Sequence, residues 1–407
     1  MPVNLWSANT LKNFWQLHCS VEDAAWQSAI QKALPILCLN PSPSDENDLL
    51  QQVLGEGQFG AGHWELSRIR RLYYELKPFI PRTLSRALRQ LLQKRHQRDF
   101  ELGWTIEERY PRFQFQVLKN LMELTGMSSV RFEAFWSHGR RFAFILTHDI
   151  EEENGQAFVR AVADLEESLG FRSSFNFVPE RYRVDKGLMA ELRERGFEIG
   201  IHGLKHDGKL FNSHSEFICR AERINHYLNE FDAVGFRSPL TLRNPEWMQT
   251  LRIEYDLSFF DTDPFEPMPG GVMSIHPFFI GHFIELPYTL VQDYTLTSVL
   301  GETSPRMWLE KVAFIRKYHG MALVNTHPDY LRRPAVLDIY RDFLIMMKTS
   351  DDYWHVLPCE IAAWWRNRAD VHPRGEENGR ISPVANLENG ELTLEMAHGI
   401  HSNAPIS

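Results

Sequence analysis

From residue 140 onward short apolar runs alternate with amphipathic stretches, and this rhythm limits the chain to few architectures. RFAFILTH, SSFNFVP, FEIGIHG, AVGFRSP, LSFFDTD, FIELP, MALVNTH and HVLP read as strands. Helical spacing falls between them, over residues 156–169, 186–195, 215–230, 245–251, 305–318 and 335–349. Strands separated by helices pair in parallel, because each crossover returns the chain to the same end of the sheet. Seven or eight such strands is a barrel's number. The fold class expected is α/β, with a (β/α) barrel over 136–370.

The N-terminal part has a different character. Residues 8 to 38 and 47 to 126 carry helix-like apolar spacing with few β-branched runs, broken at PSPSDEND and KPFIPR. Residues 1–135 are therefore expected to form a mostly helical module. A chain of 407 residues exceeds what a single core usually serves, which agrees with this division. The basic stretch from Arg82 to Arg98 offers peripheral contact with an anionic membrane or a phosphate-bearing substrate, but a solvated helix face is the preferred reading. Residues 371–407 are polar and Gly-containing, and read as an extension with one hairpin at Asn389-Gly390 or as partly disordered.

The net charge of -9 argues against nucleic acid as a partner. Four scattered cysteines without CxxC spacing read as reduced, mostly buried thiols. MPVNLWSANTLKNFWQ lacks the basic and apolar regions of a signal peptide, and no apolar run of about 18 residues occurs. A cytoplasmic protein without a transmembrane segment is the expectation.

Polar residues gather where the apolar runs end. The first run leads into Asp149 and Glu151, the third into His202 and His206, the fourth into Arg237, the fifth into Asp261 and Asp263, and a late one into His327. In α/β folds the C-terminal strand ends are where chemistry is placed. Were the chain helical after FEIGI, His202 and His206 would share a face at i, i+4 and reach one divalent ion. A carboxylate and two neutral imidazoles leave a position open for a water, which the ion acidifies toward neutrality. Asp149 or Glu151 is suited to take that water's proton, and His327 to protonate a departing amine. Arg237 would keep the base ionised, and Asp261 or Asp263 would keep His327 protonated. Asp293, Tyr294, His276, His282, Asn325 and Asp329 are weaker candidates for lining or bracing the site.

Thr147-His148-Asp149-Ile150-Glu151, His202-Gly203-Leu204-Lys205-His206, Phe236-Arg237-Ser238-Pro239, Asp261-Thr262-Asp263-Pro264 and Thr326-His327-Pro328-Asp329 stand in the order of the polysaccharide deacetylase motifs. Residues 141 to about 365 resemble that family, of NodB-homology type (carbohydrate esterase family four), in a THD-x-acid variant. The resemblance implies a distorted (β/α) barrel of about seven strands, a divalent metal that is usually Zn2+, and removal of an N-acetyl group from an amino sugar. It makes His202 and His206 metal ligands, Arg237 the residue that orients the base, and His327 the acid.

One departure lies in the first motif. Two adjacent acids are the common pattern, base then ligand, whereas here Ile150 separates Asp149 from Glu151. Side chains two apart on a strand face the same way. Asp149 is taken as base and Glu151 as ligand, with Asp149 as the alternative carboxylate ligand. An N-acetylated saccharide or glycoconjugate intermediate is the substrate expected, and a small non-sugar amide would use the same residues. The same ligand set serves non-haem Fe(II) oxygenases. A non-catalytic saccharide-binding relative is favoured only by Ile150.

Overall fold

The computed structural model describes residues 4–60, 62–64, 100–370 and 382–396. The basic stretch from Arg82 to Arg98 lies outside them, as does much of the polar tail. Strand β2 (Phe142–Ile150) is buried along its whole length, as a parallel strand covered on both faces must be. It pairs in parallel with β9 (Met321–Thr326), with β10 (Tyr353–His355) at its start and with β3 (Ser174–Phe177) at its end. From β3 the parallel order continues through β4 (Glu198–His202), β5 (Gly235–Arg237), β6 (Tyr255–Asp256) and β8 (Phe283–Glu285). Beyond β8, the Thr289 and Leu290 N–H groups donate to the Leu323 carbonyl of β9, so the sheet curls shut along a loose seam. The wall is a distorted barrel of seven parallel strands, β2, β3, β4, β5, β6, β8 and β9, as expected.

Amphipathic helices cover the outside: α4 (Val159–Leu169), α5 (Lys186–Glu194), α6 (His214–Glu230), α7 (Arg306–Lys317) and α8 (Pro334–Lys348). Two begin at side-chain caps. Asp185 accepts the Gly187 and Leu188 N–H groups, and Ser213 accepts that of Glu216. Among the described residues no helix is long and apolar enough to cross a membrane.

Three details differ from the sequence reading. Regular pairing in the fifth strand stops at Asp256, because the Leu257 carbonyl accepts the Arg237 guanidinium (Nε, 2.9 Å) rather than a ladder bond. A strand not among those expected, β7 (Phe278–Ile280), precedes FIELP and folds back antiparallel on β8. The cysteines are free, but Cys19, Cys38 and Cys219 are exposed and Cys359 is half-buried.

The N-terminal helices α1 (Asp23–Ala33), α2 (Glu46–Val53) and α3 (Arg109–Thr125) join a hydrophobic core continuous with that of the barrel. In helix α9 (Pro358–Asp370), Arg368 donates to the carbonyls of Asn13, Phe14, Glu133 and Ala134. Strands β11 (Val384–Glu388) and β12 (Glu391–Glu395) form a hairpin whose turn, Asn389-Gly390, has positive φ at both residues. β11 pairs antiparallel with β1 (Ser129–Arg131).

Glu56 and Arg243, both without exposed surface, tie the N-terminal part to the barrel. The Arg243 Nε and Nη2 groups donate to the Glu56 carboxylate at 2.6–2.9 Å, and the Gly271 N–H adds a bond of 3.0 Å. Burial alone would raise the Glu56 carboxyl; Arg243 and His63 reverse this and hold it at about 2. A depressed folded-state pKa contributes stability that is present above the unfolded value and lost as pH falls through the folded one. Glu56→Gln is therefore expected to lower stability by about 3 kcal/mol near pH 7. In thermal melts the gap to wild type should narrow as pH falls from 4.5, the ordinary glutamate value, to about 2. A gap independent of pH over that window would contradict this account.

Candidate active site

Asp149, Glu151, His202, His206, Arg237 and His327 lie at or past the C-terminal ends of β2, β4, β5 and β9 and converge, whereas Asp261 and Asp263 follow β6 by five and seven residues. Asp149 and Asn176 are register partners on β2 and β3, and His202 and Arg237 on β4 and β5, so their side chains lie side by side. Arg237 and Asp149 are almost wholly buried.

Asp149 is held from three sides. Asn176 Nδ2 donates to its Oδ1 (3.0 Å), Arg237 Nη1 to the same oxygen (3.2 Å), and Asn325 Nδ2 to Oδ2 (2.9 Å). Arg237 also donates to the Thr147 hydroxyl and the Asn325 amide oxygen. Burial would raise the Asp149 carboxyl, but Arg237, His202 and His327 outweigh it and hold the group well below the usual carboxylate range. It is ionised at neutral pH, with most of its lone pairs occupied.

His202 closes β4. Its Nδ1 lies 3.1 Å from the Arg237 carbonyl, which can only accept, so Nδ1 carries the proton and Nε2 the free lone pair. Burial lowers this imidazole to about 4, which keeps it neutral. The following residues are not helical. Gly203 turns at φ +61, where a Cβ would strike the Pro239 ring, and His206 itself has positive φ. The loop, fixed by an Arg181 bond to the His206 carbonyl (2.9 Å), brings the two imidazole centroids within 5.0 Å. The histidines thus meet through a tight turn and not by the expected i, i+4 helical spacing.

Glu151 completes a group. Its Oε1 lies 3.0 Å from His206 Nε2, and one ligand atom from each of Glu151, His202 and His206 lies within 4.8 Å of the others. Burial raises the Glu151 carboxyl, and the histidines around it bring it well below its ordinary value. An ionised carboxylate with a neutral, correctly tautomerised imidazole and a second imidazole suits a divalent cation such as zinc, with at least one position left open. Asp329 does not brace His327. It accepts the Glu151 and Glu152 N–H groups (2.9 and 3.1 Å), and Gly155 leaves room for its carboxylate.

On the other side stands His327, with Nε2 4.0 Å from Asp149 Oδ2. Its partner is Asp293, not Asp261 or Asp263. Asp293 Oδ1 lies 2.7 Å from His327 Nδ1, and Oδ2 accepts the His327 backbone N–H at 2.9 Å. Burial works against the imidazolium, but Asp293, Glu151 and Asp149 together push His327 up to about 10. Asp261 is instead paired at 2.5 Å with Lys311 of α7, which reaches in from the outer layer. Asp263 accepts the Phe265 N–H (2.7 Å) and the Tyr288 hydroxyl (3.3 Å). Neither is available to His327.

The remaining candidates sort by contact. Asn325 holds Asp149 rather than His327. His148 points away from the site, bonded to Glu166 and Thr326. His276 is buried and its Nε2 meets the His319 carbonyl, while His282 meets Gln249 and the Leu251 carbonyl. Tyr294 packs on Tyr330, whose ring centroid lies 5.1 Å from that of His327.

No family model matches the chain, and no curated protein sequence does. Similarity appears among solved structures. One described as a polysaccharide deacetylase from Mycobacterium smegmatis is 19% identical, covering 60% of this chain and 97% of its own, with a TM-score of 0.47. Another so described, from Pseudomonas aeruginosa, is 15% identical, covering 59% and 95%, with a TM-score of 0.49. An allantoinase is 15% identical, covering 59% and 94%, with a TM-score of 0.48. Polysaccharide deacetylases, the family that the ordered motifs resemble, are thus among the solved structures similar to this chain.

Proposed function

We propose that this chain is a metal-dependent hydrolase that removes the N-acetyl group of an amino-sugar-containing saccharide or glycoconjugate intermediate. The observation that carries the reading is the placement of three candidate ligands, Glu151, His202 and His206, beside two oppositely prepared groups. Asp149 is an ionised acceptor, and His327 is a protonated donor with its Nε2 turned toward Asp149.

A divalent ion held by Glu151, His202 and His206 would supply Lewis acidity and an acidified water. Asp149 then takes a proton at a carboxylate oxygen, with Arg237, Asn176 and Asn325 fixing its orientation. His327 gives its Nε2 proton to the departing amine nitrogen while Asp293 stabilises the imidazolium. Glu151 is assigned the ligand role because its carboxylate groups with the His202 and His206 nitrogens, and Asp149 the base because it stands beside that group with one lone-pair site left.

The test is metal content of the purified protein together with acetate release from N-acetylated amino sugars, nucleotide sugars and chito-oligosaccharides. Stoichiometric metal with acetate release abolished by chelation is expected. Bound metal without acetate would move the reading to a non-sugar amide, and absence of both would leave a saccharide-binding protein. Within the site, His202→Ala, His206→Ala and Glu151→Gln should each cut metal occupancy at least tenfold, while Asp149→Asn keeps the metal and loses turnover. Metal loss in Asp149→Asn would exchange the two carboxylate roles.

A further inference from the structure

Three consecutive residues each hold a different wall of the site. Asp293 clamps His327, Tyr294 packs on Tyr330 with ring centroids 5.2 Å apart, and Gln292 Nε2 donates to Glu266 Oε1 at 2.7 Å. The second Glu266 oxygen accepts the Thr241 hydroxyl at 2.8 Å. Thr241 lies in the loop that follows Arg237 and Ser238, where Leu240 and Thr241 both have positive φ, and Arg243 Nη1 holds the Thr241 carbonyl at 2.9 Å. Glu266 is thus locked in one orientation between the Arg237 loop and the Asp293 segment. Unlike Asp261, Asp263 and Asp293 it is only half-buried.

We propose that Glu266 selects a hydroxylated sugar ring on the amine side of the scissile amide by accepting hydrogen bonds from its hydroxyl groups. The inference rests on the deacetylase reading, in which His327 must reach the departing nitrogen. Whatever carries that nitrogen then lies against the groups flanking His327. On one flank are the Tyr330 and Tyr294 rings. Glu266 joins the same group of residues through Gln292, the chain neighbour of the Asp293 that holds His327. The Glu266 oxygens accept from Gln292 and Thr241, with the Tyr288 hydroxyl as a third donor working against the burial that raises the carboxyl, and the remaining lone-pair site is open to a ligand. Aromatic rings and a fixed carboxyl acceptor held by the same short segment suit a ring with apolar C–H surface and a rim of hydroxyls. A small alkyl amide has no hydroxyl to offer there.

The experiment is calorimetric titration of the full-length, metal-loaded protein with triacetylchitotriose, for wild type, Glu266→Gln, Glu266→Ala and Gln292→Leu. Metal content and Tm are recorded for each. The trisaccharide Kd should rise about tenfold in Glu266→Gln, further in Glu266→Ala, and in the same direction but less in Gln292→Leu. The kcat/KM ratio for triacetylchitotriose over N-methylacetamide should fall about tenfold in Glu266→Gln. Should the Glu266 variants fail to fold, Gln292→Leu carries the comparison. A Kd within twofold of wild type in the folded variants overturns the proposal, as does no binding by wild type. Binding that depends on Glu266 without acetate release would sink the deacetylase reading and leave saccharide recognition standing. Acetate release with an unchanged Kd would do the reverse.

Discussion

Asp293→Asn should lower kcat about a thousandfold while the metal stays bound, because the side chain that sets the charge and tautomer of His327 is lost. Asp293 has no exposed surface and spends both oxygens on His327, one on Nδ1 and one on the backbone N–H. With Asp293 the imidazole stays in its acid form up to about 10. A raised folded-state value means the proton is held at neutral pH and lost as pH rises through it. Without Asp293 only Glu151 and Asp149 oppose burial, the acid form is lost at lower pH, and the alkaline limb of the kcat profile moves toward acid. Rate measurements across the profile, paired with metal analysis, check this. A variant with normal turnover at neutral pH would remove His327 as the acid.

Arg237→Met should destabilise the protein by roughly 3 to 5 kcal/mol and abolish turnover, since it strands the Asp149 carboxylate in a dry interior. The guanidinium makes bonds to Thr147, Asp149, Asn325 and the Leu257 carbonyl, and no solvent replaces them at 1% exposure. Combining Arg237→Met with Asp149→Asn removes the orphaned charge along with its partner. The double variant should recover a large part of the lost Tm but none of the activity, with a coupling energy of at least about 1 kcal/mol. Additive losses in thermal melts would mean that Arg237 acts by packing alone.

The sequence made the barrel legible because its strands are apolar over their full length and its helices keep their period. β2 shows this best, buried along all nine of its residues, of which Asp149 is the last but one. The clustering of the candidate ligands was legible for a related reason, since Glu151 directly follows β2 and His202 ends β4. What stayed hidden depends on tertiary approach. Asp293 was a candidate for lining the site, but its pairing with His327, 34 residues on, was not legible, because the segment has no regular strand structure to place it. Asp261 and Asp263 sit at the expected strand end, yet Lys311 arrives from a helix about fifty positions later and takes the first of them. The β7–β8 hairpin did leave a mark, two apolar runs around Gly281-His282, which is the signal of a two-residue turn.

The pairing of Glu56 with Arg243 also bears on how the chain reaches its native state. The two residues are separated by 187 positions. On a ribosome Glu56 emerges long before the cation that neutralises it, at roughly 5–20 residues per second. The N-terminal helices therefore cannot reach their final contacts as a finished unit ahead of the barrel. Closure of this link is a late, non-local event, of the kind that slows folding. Until it forms, an acid destined for a dry site must remain in water, which keeps the nascent N-terminal segment loosely associated until the loop after β5, which carries Arg243, has been made.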